Sequence, residues 1–421
     1  MRTCAWFVSM VLLTSIAHAD NWAHWRGPTG NGVALNANPP TEWSTTKNVK
    51  WKVAVPGKGS SSPIVWGDRV FVSSAVQVKP AEGGGLPTYD FKAFCFDRKT
   101  GNLIWEKTAI TSAPHQGTHA TNSFASASPC TDGERVYFHY GSRGLHCYTI
   151  DGEPVWHRQF GEMKTLNNFG EGSSPTLTGD KILVPWDHQG PSALFALNKK
   201  TGDIIWKEAR DEPTGWCTPL VVENEGKKQI IMNGQNFARG YDLETGKEIW
   251  RCTGQTKRPV CSAVFANGIA YVGSGFQGAF IGAFKLTGKG DIQGTDKVIW
   301  TIKQDAPDIP TPLLTTTGRL YYYKGKSGLL TCTDAATGKQ HYSAQRVDGV
   351  ETPYGSPIEA GGNIYLTGRT GNIVVIKDSN ELQVVSKNAM EEILNATPAP
   401  VDNELFIRGD DHLFCIARSG N

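Results

Sequence analysis

Charge of either sign is scarce in this sequence. Of its 421 residues, 42 are Lys or Arg and 40 are Asp or Glu, which gives a formal net charge of +2 at pH 7. A balance this close to neutral provides neither the basic surface that nucleic-acid binding requires nor an acidic tail. We therefore expect no nucleic-acid partner.

Long hydrophobic runs are missing as well. The main apolar run covers residues 5–16, shorter than the ~20 residues of a bilayer-spanning helix, so no transmembrane segment is predicted. The run follows Arg2 and precedes Ala17-His18-Ala19, where small residues occupy the two positions that a signal peptidase reads. The sequence thus predicts a signal peptide over residues 1–19, cleavage near Ala19, and a periplasmic or secreted protein.

Glycine and aromatic residues are plentiful instead. The 47 glycines make up about 11% of the chain, above the ~7% average, and 13 Trp, 12 Tyr and 17 Phe accompany them. This mixture is typical of many short strands that are joined by tight turns.

One segment, which begins with Ser/Thr-Pro or a near equivalent, returns eight times. Each copy is followed by a two-residue hairpin signal, such as Gly67-Asp68, and then by a β-rich run. The copies begin at Ser62, Ser128, Ser174, Thr218, Ser262, Thr311, Ser356 and Thr397. The repeat predicts eight similar β-sheet units.

The second half of the repeat reads D-x-x-T-G-x-x-x-W. It is sharpest over residues 97–105, 198–206, where Asn replaces the Asp, and 242–250. Glycine supplies a positive φ at the turn, and the Asp or Asn can cap neighbouring amides. The closing Trp offers ~150–250 Å² of rigid surface to the adjacent repeat.

The two ends of the chain decide between an open array and a ring. The last copy stops before its fourth strand, and an orphan fourth strand, residues 49–54, stands near the N-terminus. Pairing the two would leave no free sheet edge. We predict an all-β fold: an eight-bladed β-propeller of four-stranded antiparallel blades over residues 49–421, closed by the N-terminal strand and preceded by a leader segment, residues 20–48.

The D-x-x-T-G-x-x-x-W unit, repeated in this way, resembles the PQQ-like (pyrroloquinoline quinone) repeat family of β-propellers. The resemblance implies that each Trp docks on a neighbouring blade. The family includes the propeller subunit of the outer-membrane protein assembly machinery as well as quinoprotein dehydrogenases, so one scaffold serves both binding and catalysis.

The enzyme alternative has definite requirements in that family. Its dehydrogenases hold PQQ on a Ca²⁺ ion through oxygen ligands, use an Asp as base, and typically cover the quinone with a disulfide between adjacent cysteines. This sequence has no Cys-Cys pair and no Cys-x-x-Cys-His haem motif, although Asn168, Glu171, Asp308 and Glu351 lie on plausible entry loops. We expect no cofactor, no metal ligand and no catalytic residue, with a PQQ/Ca-dependent oxidoreductase as the alternative.

The innermost strands of a propeller all start at the same face, so the residues before each Ser/Thr-Pro should converge on the axial channel. This predicts an exported binding module or scaffold that engages a protein or glycan through loops at the mouth of the channel. The alternative is that these groups only solvate the rim. The candidate ligand-binding residues are His119, Asn122, Glu171, Trp216, Arg258, Asp308 and Tyr354.

Overall fold

The computed structural model describes residues 21–418. The predicted signal peptide and its cleavage site lie outside this range. Within it, the helical segments are two single-turn 3₁₀ helices, Gly141–Arg143 and Leu166–Asn168. None of the helices in this range is long and apolar enough to cross a membrane.

Strands make up the rest of the regular structure, and they form eight sheets, each built on four antiparallel strands. We number these blades 1 to 8 in chain order. Blade 1 comprises Ile64–Trp66, Arg69–Lys79, Thr88–Asp97 and Leu103–Ser112, and blade 2 comprises Cys130–Thr131, Arg135–His139, Leu145–Thr149 and Pro154–Arg158. Blade 3 comprises Thr176–Thr178, Lys181–Trp186, Ala193–Asn198 and Ile204–Ala209, and blade 4 comprises Leu220–Asn224, Lys227–Met232, Ala238–Asp242 and Glu248–Cys252.

The remaining four blades follow the same plan, and two short strands, Val33–Ala34 and Gly290–Asp291, add to blades 7 and 4. Blade 5 comprises Val264–Ala266, Ile269–Ser274, Phe280–Lys285 and Val298–Ile302, and blade 6 comprises Leu313–Leu314, Arg319–Tyr323, Leu329–Asp334 and Gln340–Arg346. Blade 7 comprises Ile358–Ala360, Asn363–Gly368, Asn372–Lys377 and Val384–Ala389, and blade 8 comprises Ala399–Val401, Glu404–Arg408, His412–Ala417 and Val49–Ala54. The predicted eight-bladed propeller is confirmed.

Ring closure occurs in blade 8, as predicted. The N-terminal strand Val49–Ala54 pairs antiparallel with the last strand of the chain, with Trp51 opposite Cys415. The two middle strands of each blade are buried on both faces because other blades pack against them. In blade 3, for example, Ile182, Leu183 and Val184 are all fully buried.

Tryptophans lock neighbouring blades together. Five of them donate an Nε1 hydrogen bond of 2.9–3.2 Å to a backbone carbonyl in the turn of the next blade: Trp51, Trp105, Trp156, Trp206 and Trp300. Each ring lies against the glycine of that turn. At Gly246, with φ +73°, a Cβ atom would come within 2.6 Å of the Trp206 ring, so both the backbone conformation and the close approach require glycine.

Trp250 departs from this pattern. Blade 5 lacks the D-x-x-T-G turn, and a longer connection over residues 286–297 takes its place. Gly290–Asp291 in this connection pairs in parallel with Trp250 and Arg251. Trp250 is fully buried and donates to Gln229 Oε1 of its own blade at 3.2 Å. The fourth blade is therefore joined to the fifth by strand addition.

The leader, residues 21–34, fills the axial channel from the hairpin end of the inner strands. The Trp22 amide and carbonyl pair with those of Val65 in blade 1, and Val33–Ala34 pairs in parallel with Glu359–Ala360 of blade 7. Together its residues contact the inner segment of every blade, at Val65, Thr131, Pro175, Leu220, Phe265, Pro312, Pro357 and Thr397. One end of the channel is thereby sealed.

Candidate functional site

The Ser/Thr of the eight Ser/Thr-Pro repeats form a closed ring of hydrogen bonds around the axis. The backbone N–H of each residue donates to the side-chain hydroxyl of its counterpart in the next blade, and the Thr397 N–H closes the ring on Ser62. The eight distances range from 2.8 to 3.1 Å. We name this set the hydroxyl ring: Ser62, Ser128, Ser174, Thr218, Ser262, Thr311, Ser356 and Thr397.

The ring explains the residue types of the repeat. A residue at this position needs a short side-chain acceptor, which Ser and Thr provide. In seven blades the next residue is Pro, which has no N–H to satisfy. Several of the proline carbonyls instead accept bonds from other residues: that of Pro175 from His24, and those of Pro312 and Pro357 from Arg26. In the Ser/Thr-Pro dipeptide, the hydroxyl links adjacent blades and the proline leaves no N–H unpaired in the channel wall.

A cavity of about 290 Å³ lies between the hydroxyl ring and the loops at the mouth. The leader residue Trp25 reaches into it and donates through Nε1 to Thr397 Oγ1 at 3.2 Å. The cavity is a dead end, because the leader occupies the channel beyond it. Its aromatic lining residues are Trp25, Phe169, Trp216, Phe276 and Tyr354.

Five of the seven predicted ligand-binding residues line this cavity. Their side chains come from four different inter-blade connections, and His119 and Asn122 share one of them. They are His119, Asn122, Trp216, Arg258 and Tyr354. Ser126, from the same connection as Asn122, and Asn395, which precedes the copy at Thr397, line it as well.

Glu171 and Asp308, the other two, lie outside the cavity wall and serve the framework. Glu171 accepts hydrogen bonds from the Ser142 N–H, at 2.6 Å, and from the Ser142 hydroxyl. Asp308 is buried and pairs with Arg258, with an N···O distance of 3.0 Å. Burial raises the pKa of both carboxyl groups above the ordinary value, which the hydrogen bonds of Ser142 and the charge of Arg258 oppose.

The mouth loops hold one another in place. Thr121 Oγ1 lies 2.8 Å from His119 Nδ1 and 2.9 Å from Tyr354 Oη. The Trp216 indole donates to the Gly170 carbonyl at 2.8 Å. The bonds of Thr121 join the connection between blades 1 and 2 to the one before blade 7, and the Trp216 bond joins the connections before blades 3 and 4. The aromatic walls are therefore positioned in advance of any ligand.

Two cations face the cavity. The Arg258 guanidinium lies 3.8 Å above the centre of the Phe276 ring, and its backbone adopts φ +44°, in the left-handed region. Arg258 Nε is buried and has no hydrogen-bond partner. Lys326 is exposed and makes no ion pair within residues 21–418. No Asp or Glu of the described chain lines the cavity.

The cavity does not fit a calcium–quinone pair of the kind that the resemblance raised. Ca²⁺ takes six to eight oxygen ligands, among them carboxylates. Among the described residues, no carboxylate lines the cavity. Across the described residues, no group of three or more His, Cys, Asp or Glu is placed to hold a metal. Asn168 and Glu351, also on entry loops, are exposed, and Glu351 accepts a bond from Thr370. The eight cysteines from Cys95 onward are free and buried.

Several lining residues were missed by the sequence argument, which considered only the residues before each repeat. Phe276 and Lys326 lie between the second and third strands of blades 5 and 6, and these connections also reach the mouth face. The propeller topology alone would have indicated them. Trp25 could have been suspected only from the unusual Trp22-Ala-His-Trp25 run in the leader.

The fold and the repeats together resemble those of PQQ-like repeat β-propellers, and comparisons with known proteins agree with this resemblance. A sequence model of the family described as outer membrane protein assembly factor BamB matches residues 90–262. BamB from Moraxella catarrhalis is similar in structure over 89% of this chain and 98% of its own, with a TM-score of 0.59 at 13% identity. The predicted resemblance is confirmed.

Two other solved structures are similar. The computationally designed Ika8 protein aligns over 92% of this chain and 99% of its own, with a TM-score of 0.60 and 10% identity. A europium-containing methanol dehydrogenase aligns over 93% and 90%, with a TM-score of 0.49 and 12% identity. No curated protein matches the chain in sequence.

Proposed function

We propose that this chain is an exported binding module or scaffold that engages a protein partner at the mouth of its axial channel. The observation that carries the proposal is the dead-end cavity of about 290 Å³, which is walled by aromatic, amide and cationic side chains from several blades. Concave sites with a few convergent polar groups on apolar walls are the usual form of a binding site.

The rigidity of the mouth supports recognition of a partner. Loops from blades far apart in sequence are hydrogen-bonded to one another, as between Thr121 and Tyr354, so little conformational entropy is lost when a partner docks. The likeness to a protein described as an outer membrane protein assembly factor favours a protein over a glycan as partner. The apolar run at residues 5–16 supports export to the periplasm or the medium.

Site-specific photocrosslinking in cells of the source organism tests the proposal. A benzophenone amino acid replaces Lys326 or His119 at the mouth, both of which are exposed. Lys339, exposed in the blade 6 turn at the opposite end of the strands, is the matched control. We expect a discrete protein adduct from the two mouth positions and none from position 339.

Adducts that form only at the opposite end, or at the outer strands near Trp105 and Trp156, would place the working surface on the blade rim and contradict the proposal. An adduct with a glycan in place of a protein would contradict the choice of partner. A second variant, Tyr354→Ala with His119→Ala, should reduce the Lys326-position adduct severalfold because it removes part of the wall.

A further inference from the structure

The hydroxyl ring has hydrogen-bonding capacity left over. Each of its eight hydroxyl oxygens accepts an N–H, and Thr397 Oγ1 accepts the Trp25 indole as well. A hydroxyl can donate one hydrogen bond besides those it accepts. None of the eight donates to an acceptor anywhere in residues 21–418. Six of them line the mouth cavity: Ser62, Ser128, Ser174, Thr218, Ser356 and Thr397.

The side-chain amides that line the cavity add little accepting capacity. Asn122 Oδ1 already accepts from the Ser123 N–H at 2.9 Å and from the Ser126 hydroxyl. Asn395 Oδ1 accepts from Arg369 Nε at 3.0 Å. The unused side-chain capacity of the wall therefore consists of one donor hydrogen on every ring hydroxyl and, except at Thr397 Oγ1, one further acceptor lone pair.

The charged side chains that line the wall are both cationic. Arg258 is 6% exposed, and one terminal nitrogen binds Asp308 while Nε has no partner. Lys326 forms no ion pair within 4 Å in residues 21–418, although its charge, like that of Arg258, opposes the burial that raises the pKa of Asp308. Because Arg258 Nε is closed to solvent, Arg258 acts on a ligand through its charge, which Asp308 partly offsets.

We propose that the cavity receives a carboxylate group of the protein partner, either an Asp or Glu side chain or the C-terminal carboxylate. This inference rests on the proposed function. A carboxylate accepts hydrogen bonds and carries a negative charge, which suits the unused hydroxyl donors, the exposed Lys326 and a lining without Asp or Glu among the described residues. The rings of Trp25, Trp216 and Phe276 would contact the apolar atoms next to the carboxylate.

Three dye-labelled peptides of one sequence, Gly-Ser-Ala-Trp-Xaa-Ala, serve as probes for fluorescence anisotropy with the full chain. The first has Xaa Glu and an amidated end, the second has Xaa Gln and a free C-terminus, and the third has Xaa Gln and an amidated end. We expect the first or the second to bind at least tenfold more tightly than the third, and their difference identifies the source of the carboxylate.

Lys326→Glu should weaken that binding at least tenfold because it places a carboxylate at the mouth. Lys339→Glu, the same change on the opposite side of blade 6, should leave it unaltered. Both side chains are exposed, so neither change should disturb folding. Added salt should weaken binding as well, since the attraction is electrostatic.

Equal affinities for the three peptides, no binding at millimolar concentrations, or an unaffected Lys326→Glu variant would each overturn the inference. Preference for a glucuronate disaccharide over all three peptides would overturn it in favour of an acidic glycan. Protein adducts from position 326 in cells, together with indifference to the carboxylate, would leave the proposed function standing and remove only this inference.

Discussion

The two ends of the axial channel differ in how their polar groups are satisfied. At the sealed end, Arg26 is buried among the inner strands and donates to the carbonyls of Asn31, Pro312 and Pro357 at 2.7–3.0 Å. At the mouth, the hydroxyl ring accepts bonds but donates none within the described chain. Two buried donors at the sealed end, Trp22 Nε1 and Arg26 Nε, also lack partners, but they are closed to solvent, whereas six residues of the hydroxyl ring line an open cavity. The same ring of inner strands thus supports a core at one end and a site at the other.

Deleting residues 21–44, which include the segment that fills the sealed end of the channel, should cause the largest loss in the free energy of unfolding. The deletion removes Trp22 and Trp43, which are 1% and 5% exposed, and leaves the closing strand Val49–Ala54 in place. Because a buried Trp contributes ~3–5 kcal/mol, we expect a loss of more than ~5 kcal/mol in urea unfolding, comparable with the total stability of many domains.

The matched control is deletion of residues 82–85, an exposed hairpin tip in blade 1. It should change the free energy of unfolding by less than ~1 kcal/mol, since surface changes of this kind are usually tolerated. Equal losses from the two deletions would show that the leader is not part of the core.

A single substitution, Arg26→Ala, should have the next largest effect. It leaves three carbonyls without this donor, of which those of Pro312 and Pro357 are in buried bonds, and each buried unpaired group costs ~1–3 kcal/mol. We expect a net loss of about 3 kcal/mol in the free energy of unfolding. The loss is partly offset because the substitution removes a guanidinium that is costly to bury, as shown by burial lowering its pKa to about 9. Arg346→Ala, at an exposed position in blade 6, is the control. A loss under ~1 kcal/mol for Arg26→Ala would mean that water replaces the guanidinium at these three carbonyls.

Acidification should weaken the sealed end through His24. Burial lowers the pKa of His24 from 6.5 to about 4, against the opposing hydrogen bond to the Pro175 carbonyl. The unfolded chain therefore binds a proton before the folded one, so this stability is complete above pH 6.5 and is lost as pH falls towards 4. At 1.36 kcal/mol per pKa unit the loss is at most about 3 kcal/mol.

Urea unfolding at pH 7 and pH 4.5 measures this effect. His24→Gln retains an amide that can bond the Pro175 carbonyl but cannot titrate, so the variant should lose less stability between the two pH values than the parent chain. An identical pH dependence in both proteins would show that the ring of His24 is hydrated in the folded state.

The fold could be predicted because its determinants are local. The Ser/Thr-Pro starts and the D-x-x-T-G-x-x-x-W ends each specify a hairpin within one blade, and the orphan strand at Trp51 revealed the closure. The leader path could not be predicted, since residues 21–34 have no strand pattern and Arg26 finds Pro357 at a separation of 331 residues. Nothing local in the Trp250 motif indicated that its neighbour would lack the receiving turn.

Part of the candidate site could also be anticipated. The start of each inner strand fixes which connections meet at the mouth, and this placed Trp216, Arg258 and Tyr354 together. Whether a side chain enters the cavity depends on its pairing with neighbours, which a sequence does not reveal. Asp308 is turned to Arg258 and Glu171 to Ser142. The hydroxyl ring itself was visible as a repeat, although its hydrogen-bonding role required the register between blades.

The smallest effect on stability should come from the mouth. His119→Ala and Lys326→Gln alter exposed side chains, and surface substitutions without buried partners usually change the free energy of unfolding by less than ~0.5 kcal/mol. We therefore expect urea midpoints close to that of the parent chain for both variants, in contrast to Arg26→Ala, while the mouth crosslink is lost or reduced. A functional wall can be changed without unfolding the scaffold, whereas a structural one cannot. A loss above ~1 kcal/mol in either variant would mean that the mouth, like the sealed end, is held together by these groups, and the distinction between the two ends would fail.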